Sequence, residues 1–350
     1  MEEGFRLWAN PSSPHAEGRK ARQMLEDARE RIKTALGWDG ELIFTSGASE
    51  ALAIGLGRAR AGKRLVSAVE HDAVFRAAPD AEVLPLNHHW QVDRDVLATS
   101  LSASRGAIVA IQHVNSETGA MQPVSELTAQ IREAGGTLLS DCSQSAGKYA
   151  LPDADMVAIS AHKLGGPIGI GALLLRDFAL LEPTGGQERG YRSGTENLPA
   201  ALAFAAAVGA RDISAESVGE EMNALSIAGQ ASWLLTTGYA YVDIQHAIHS
   251  RGGVFQLSPS AWDDFSILSI TMPGVSAAAQ LIQFDAAGFA ISAGSACSSG
   301  TLKPSRALLA FGIPEGEARN TIRMSAGWNT TYDEILAFSR AWEAIAARAA

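Results

Sequence analysis

Short apolar runs recur along the first half of the chain, and helical periodicity fills the stretches between them. The runs are Leu42 to Phe44, Arg64 to Ala68, Val83 to Leu86, Ile108 to Gln112, Thr137 to Ser140, Met156 to Ile159 and Ala172 to Leu175. Amphipathic stretches such as Lys20 to Leu36 and Val124 to Ala134 separate them. This alternation predicts an α/β fold with a mostly parallel seven-stranded sheet in a large domain. An alanine-rich helical pattern follows from Leu198 to Arg211, and beyond it Ser266 to Thr271, Ala290 to Ser292 and a helix over Tyr332 to Ala349 read as a smaller α+β domain. The large domain is expected over residues 15–210, and the small one over 211–350 together with residues 1–14.

In an open parallel sheet the ligand crevice lies outside the carboxyl ends of the strands. Met156 to Ile159 ends in Ser160-Ala161-His162-Lys163, and Leu164-Gly165-Gly166-Pro167 follows at once. A lysine held on such a turn is placed to form an imine. The run Leu138 to Gln144 ends in a carboxylate, Asp141, and an amide, Gln144. A lysine and an aspartate delivered to one crevice suit pyridoxal 5'-phosphate: the lysine carries the cofactor as a Schiff base, and the aspartate keeps the ring nitrogen protonated so that the ring can accept electrons. A surface ion pair would explain neither the apolar strands nor the glycines. A phosphate site is also available, because Leu42 to Phe44 runs through Thr45-Ser46-Gly47-Ala48-Ser49 into a helical pattern at Glu50. Free backbone N–H groups at a helix start attract an anion, and Ser49 adds a hydroxyl.

At these positions the chain resembles the cysteine desulfurases of the NifS and IscS type, within the fold-type I pyridoxal-phosphate enzymes. The resemblance runs in order through Asn10-Pro-Ser-Ser-Pro-His15, Thr45-Ser-Gly-Ala-Ser-Glu50, Glu70-His71, Asp141-Cys-Ser-Gln144 and Ser160-Ala-His-Lys163. It continues through Gly185-Gly-Gln-Glu-Arg-Gly190, Arg192-Ser-Gly-Thr-Glu-Asn197, Gly294-Ser-Ala-Cys-Ser-Ser299 and Ile322-Arg-Met-Ser325, nearly the whole chain. Each string is weak alone; the ordered set is specific.

The resemblance implies that Lys163 holds the cofactor, Asp141 pairs with its ring nitrogen and Gln144 bonds its ring hydroxyl. It implies that His71 stacks on the ring and handles protons, and that Ala48, Ser49, Ser160 and His162 cradle the phosphate. Thr195 would reach a phosphate across the interface of a homodimer, and Arg323 would clamp the carboxylate of L-cysteine, a role that suits its planar fork. Cys297 would accept the sulfur and carry it as a persulfide to an acceptor such as an iron–sulfur scaffold protein. Its small, polar flanks, Ala293 to Gly300, build no core and suit a mobile loop that must approach the substrate and then turn outward. Lys163, once displaced from the imine, is expected to move the α-proton. His71 is expected to take the proton of the incoming thiol or amine, histidine being the side chain that exchanges protons near neutrality.

Three departures from the family pattern stand out. Where the family has Asn-Asn-Glu, this chain has Asn115-Ser116-Glu117. Ser116 can still donate one hydrogen bond to cofactor or substrate, but it reaches less far. Ser49 replaces a usual threonine and keeps the hydroxyl. The family's opening strand, of the type Leu-Asp-Asn-Ala-Thr-Thr-Pro, is not seen before the Asn-Pro-Ser-Ser string, so Met1 is expected to be an internal methionine of a longer protein. A selenocysteine lyase, another pyridoxal-phosphate lyase, or a degenerate homologue serving as a binding or regulatory subunit are the competing readings.

Composition is consistent with this reading without selecting it. A net charge of −10 gives no surface that neutralises nucleic-acid phosphates. Two cysteines, Cys142 and Cys297, make no disulfide framework and suit a reducing cytoplasm. Cys142 follows Asp141 on a strand, so two-residue periodicity turns it away from the cofactor, into packing. The chain shows no targeting segment and no apolar run long enough for a membrane. The pair His88-His89 has no ligand cluster around it and reads as surface, so no metal is expected.

Overall fold

The computed structural model describes residues 1–210, 233–260, 263–294 and 304–349. The chain divides into two compact units. The first holds Met1–Leu84, Arg94–His113 and the described residues of Pro123–Ala231; the second holds Pro85–Asp93, Val114–Gln122 and the described residues of Ser232–Ala350.

The first unit is built on the expected seven-stranded sheet. Its strands are β1 (Glu41–Thr45), β2 (Arg64–Ser67), β3 (Glu82–Leu84), β4 (Ile108–Ala110), β5 (Thr137–Asp141), β6 (Met156–Ser160) and β7 (Gly171–Leu175), ordered β1-β7-β6-β5-β4-β2-β3. The pairs β2/β3, β2/β4, β4/β5 and β5/β6 are parallel. β7 is antiparallel to both of its neighbours, β1 and β6. β1 therefore points the same way as β6, and the carboxyl ends of β1, β2, β4, β5 and β6 share one edge. β6 and β7 are buried along their whole length, as interior strands covered on both faces must be.

Helix Ala48–Gly57 covers one face of this sheet, placing Ala51, Leu52 and Leu56 among Ile43, Val66, Leu139, Ala158 and Leu173. Gly55 is part of that fit: a Cβ there would lie 2.8 Å from the Leu139 side chain. Helix Ala16–Ala35 packs against helix Leu198–Gly209, and Leu25, Ile32 and Phe204 are buried. The amino-terminal segment departs from expectation. Residues 1–14 group with the first unit, because helix Glu2–Arg6 lies on Leu198–Gly209. The contact is close enough that a Cβ on Gly4 would lie 2.6 Å from Pro199 Cα.

One buried ion pair ties this unit together. The Glu188 carboxylate accepts from Arg29 Nη1 at 2.8 Å and Nη2 at 3.2 Å, and from the β1 backbone N–H of Phe44 at 2.8 Å. Arg29 also donates to the Leu42 carbonyl and lies over the Phe44 ring. Burial pulls the Arg29 pKa down; hydrogen bonding and the charge of Glu188 more than reverse that. Glu188 and Arg189 both sit at positive φ, 48° and 57°, a conformation non-glycine residues hold only when their surroundings fix it.

The second unit has a three-stranded antiparallel sheet ordered β10-β9-β8, from β8 (Val254–Phe255), β9 (Ile267–Thr271) and β10 (Thr321–Ser325). Helices Trp233–Ser250, Ala277–Ala286 and Tyr332–Ala349 accompany it. Ile244, Ile248, Leu268, Ile270, Phe284, Phe338 and Trp342 make its core. Gly253 lets the chain pass Trp342 closely, since a Cβ there would meet the indole at 2.5 Å. The strand expected over Ala290 to Ser292 is reduced to one bridge, Ser292 with Arg323. No helix among the described residues is long and apolar enough to cross a membrane.

The ion pair yields a prediction. Glu188→Ala leaves buried Arg29 with, among the described residues, only the part-exposed Glu26, 3.1 Å from its Nε, as counter-charge and should lower unfolding free energy by up to about 3–5 kcal/mol, measured by urea denaturation. An effect below about 1 kcal/mol, the size of an exposed pair, would show that the pair carries no such load.

Candidate active site

Most of the expected cofactor residues of the first unit lie at or just beyond the carboxyl ends of β1, β5 and β6, on the shared edge of the sheet. Gly171, the first residue of β7, pairs in register with Thr45 at the end of β1 and with Ser160 at the end of β6. It has no room for a side chain: a Cβ would lie 2.4 Å from the Ile159 carbonyl and 2.7 Å from Gly47 Cα. The turn after β1 therefore closes over Gly171 and meets Ser160. The Ser160 hydroxyl accepts from the Ala48 N–H at 2.8 Å. Gly47 makes the corner at φ 154°, where a side chain would be strained.

Helix Ala48–Gly57 starts there on Gly47, which has no side chain to cap it, so Ser160 takes the first N–H and the next ones are left open among the described residues. Its first-turn N–H groups point to the same edge as the exposed Ser49 hydroxyl. Glu50 braces the turn from behind by accepting from the Ser46 N–H and pairing with Arg192 Nε at 3.0 Å. Burial raises the Glu50 pKa, but these donors outweigh it and hold the carboxyl below its ordinary range.

After Ser160 the chain makes a 3-10 turn, Ala161–Leu164, ended by Gly165 at φ 88°. The Ala161 N–H bonds the Ile170 carbonyl and the Gly166 N–H bonds the Ala161 carbonyl, at 3.1 and 2.8 Å. Leu164 is 2% exposed, and burying such a side chain contributes roughly 1.5–3 kcal/mol, which anchors the turn. His162 and Lys163, on the same turn, stay exposed. Partial burial and the Lys163 charge lower the His162 pKa.

Asp141 ends β5 one strand over. Its Oδ1 accepts from the Ser143 N–H at 2.9 Å, which fixes the carboxylate. Oδ2 takes no hydrogen bond from the described residues, and the Gln144 amide follows in the same turn. Cys142 points the other way. It is fully buried, and that burial pushes its pKa up to about 12.

His71 lies beyond β2 and caps helix Asp72–Ala77, its Nδ1 accepting from the Ala73 N–H at 3.1 Å. A neutral ring with Nδ1 so engaged carries its proton on Nε2. While the cap holds, Nε2–H can donate a hydrogen bond. Thr195 is exposed, on a segment tied down by the Arg192–Glu50 pair and by Asn197, whose side chain caps helix Leu198–Gly209.

The second unit holds the remaining described candidates together. Arg323 on β10 donates from Nη1 to the Ser116 carbonyl at 2.8 Å. Ser116 thus meets Arg323 through its backbone, whatever its side chain does. Arg323 Nε is buried without a hydrogen-bond partner among the described residues, as expected of a donor awaiting a carboxylate. Cys297 lies outside the described residues.

The edge of the first unit fits pyridoxal phosphate by its donor chemistry. An open helix start with Ser49, Ser160 and His162 suits a dianionic phosphate, the free oxygen of Asp141 suits a protonated ring nitrogen, and Lys163 suits an aldehyde. The expected residues that sequence reasoning missed are the braces, Glu50, Arg192, Arg29 and Glu188. The strings holding Glu50, Glu188 and Arg192 were noticed only as resemblances, and Arg29 only as part of an amphipathic stretch, since ion pairs between distant segments leave no periodic signal.

Comparison with known proteins agrees with this chemistry. The family model described as aminotransferase class-V matches residues 2–338. A cysteine desulfurase of Frankia is 35% identical over 362 aligned residues, covering 94% of this chain and 82% of the relative. The cysteine desulfurase IscS 1 of Archaeoglobus fulgidus is 32% identical, covering 94% of this chain and 87% of the relative. Among solved structures, a NifS-like protein from Rickettsia africae superposes with a TM-score of 0.84 at 27% identity, covering 98% of this chain and 93% of that one.

Two outcomes follow from the cradle. Gly171→Val should push the Gly47 turn away from Ser160 and weaken pyridoxal-phosphate binding at least tenfold, read by fluorescence titration of the apoprotein; unchanged affinity would refute the role given to Gly171. The lowered His162 pKa means that the unfolded chain binds its proton first on acidification. Stability from a neutral His162 is therefore present above the ordinary histidine range and is lost as pH falls through it. The apoprotein should lose stability between about pH 7 and pH 5 more steeply than His162→Gln does, and parallel curves in thermal melts would contradict this.

Proposed function

The chain belongs to the class-V aminotransferase family, and from that membership and the strand-edge cradle we infer that it is a pyridoxal-phosphate-dependent cysteine desulfurase. It converts L-cysteine to L-alanine and passes the sulfur to an acceptor. The observation that carries this reading is the convergence of Lys163, Asp141 and the open helix start at Ala48 on one sheet edge, registered through Gly171.

When bound, the cofactor serves as an electron sink for the substrate carbon. Lys163 would hold it and, as a free amine, would move the α-proton. Asp141, fixed by the Ser143 N–H, keeps the ring nitrogen protonated through Oδ2. Gln144 bonds the ring hydroxyl, and Ala48, Ser49, Ser160 and His162 hold the phosphate. His71 would stack on the ring and take the proton of the incoming thiol or amine. Ser116 and Arg323 bind the substrate, Arg323 through its carboxylate.

Cys297 attacks the substrate sulfur as thiolate. An S–S bond forms, the substrate C–S bond breaks with its electron pair left on carbon, and protonation of that carbon gives alanine. The persulfide on Cys297 then goes to a sulfur acceptor, an iron–sulfur scaffold protein being the partner we propose. The protein is proposed to act in the cytoplasm as a homodimer in which Thr195 of one copy reaches the other copy's phosphate.

Incubation with L-cysteine followed by mass analysis of the Cys297 peptide tests this. One added sulfur there, with alanine in solution, is expected. Cys297→Ala should lose the transfer, and Lys163→Ala should lose the cofactor's visible band. Sulfide release that persists in Cys297→Ala without added thiol would indicate a lyase instead.

A further inference from the structure

Arg323 does not stand alone on its sheet. Its partner across the β9/β10 ladder is Ser269, and directly paired residues share a face. The two side chains grip consecutive carbonyls of one turn: Arg323 Nη1 donates to Ser116 O and Ser269 Oγ to Glu117 O, both at 2.8 Å. The turn is rigid in its own right. Asn115 is 2% exposed, and its Oδ1 accepts from the N–H groups of Glu117 and Thr118 and from Thr118 Oγ1, at 2.9, 3.0 and 3.2 Å. Gly119 closes the turn at φ 82°, where a Cβ would lie 2.6 Å from the carbonyls of Asp264 and Ile267. On the other side, Arg323 exchanges backbone hydrogen bonds with Ser292 at 2.7 and 3.1 Å.

With Nη1 tethered, the unengaged edge of the guanidinium is Nε with Nη2, and the buried, unpartnered Nε marks that edge as built for an acceptor. We propose that Asn115 and Ser269 are positioning residues for Arg323, holding the Ser116 carbonyl against Nη1 so that the substrate carboxylate is met side-on by Nε and Nη2. This rests on the role given to Arg323 above. It also explains how serine can stand at position 116: the turn uses that residue's carbonyl, which every residue supplies.

The holoenzyme variants Ser269→Ala, Ser269→Thr and Asn115→Leu test it, using L-cysteine and cysteamine, which lacks the carboxylate. Binding of L-alanine and of ethylamine is followed by calorimetry alongside turnover. Ser269→Ala should raise KM for L-cysteine roughly fivefold, the effect of one lost hydrogen bond, with kcat and cofactor affinity unchanged and cysteamine unaffected. Ser269→Thr, which keeps the hydroxyl, should restore KM, and Asn115→Leu should lower L-alanine affinity more than ethylamine affinity. An unchanged KM in Ser269→Ala, or equal losses for ligands with and without the carboxylate, would overturn the proposal. Wild-type protein that leaves L-cysteine intact would instead overturn the functional reading, and the L-alanine and ethylamine titrations would still decide this one.

Discussion

The cradle depends on a missing atom. Because Gly171 has no Cβ, a backbone corner can lie directly over β7 while two strands on either side end level with each other. The serine of one strand and the helix start of the other then come within hydrogen-bond distance. Reversing β7 serves the same end. A strand antiparallel to both neighbours lets β1 and β6 deliver their carboxyl ends to one side with a single strand between them.

Such an arrangement places strained and charged groups where they must be held. The loop carrying Glu188 and Arg189 takes two successive left-handed residues, and the fully desolvated pair with Arg29 fixes it to the backbone of β1. Nearby, Arg192 and Glu50 link the segment bearing Thr195 to the turn before the cradle. In the second unit the same logic is smaller: an Asx-type turn, a serine and an arginine share three consecutive residues of backbone. In each case a charged side chain is aimed by partners that are themselves held in place.

Much of this was legible in the sequence for a physical reason. Strands buried on both faces read as continuous apolar runs, so all seven large-sheet strands could be placed. Candidate site residues at strand ends inherit their position from those runs, as Lys163 and Asp141 do. β8 is two residues long, and β10 mixes Arg323 and Thr321 with its apolar residues, so neither stood out as a strand. Ala290 to Ser292 looked like a strand yet forms one bridge, because pairing depends on an available neighbour rather than on propensity. The amino-terminal helix was assigned to the wrong unit, since the surface it covers, around Pro199, is nearly two hundred residues away in sequence. The capping role of His71 was hidden for a related reason: nothing in composition tells which ring nitrogen a backbone N–H will occupy.

Cys142 sits one residue from the aspartate of the site and is nonetheless chemically silent. Burial raises its pKa to about 12, so almost none of it is thiolate at neutral pH. The chain has only one other cysteine. Thiol labelling or disulfide exchange of the folded protein therefore passes Cys142 by and falls to the other thiol in the sequence, a selectivity supplied by the sheet interior.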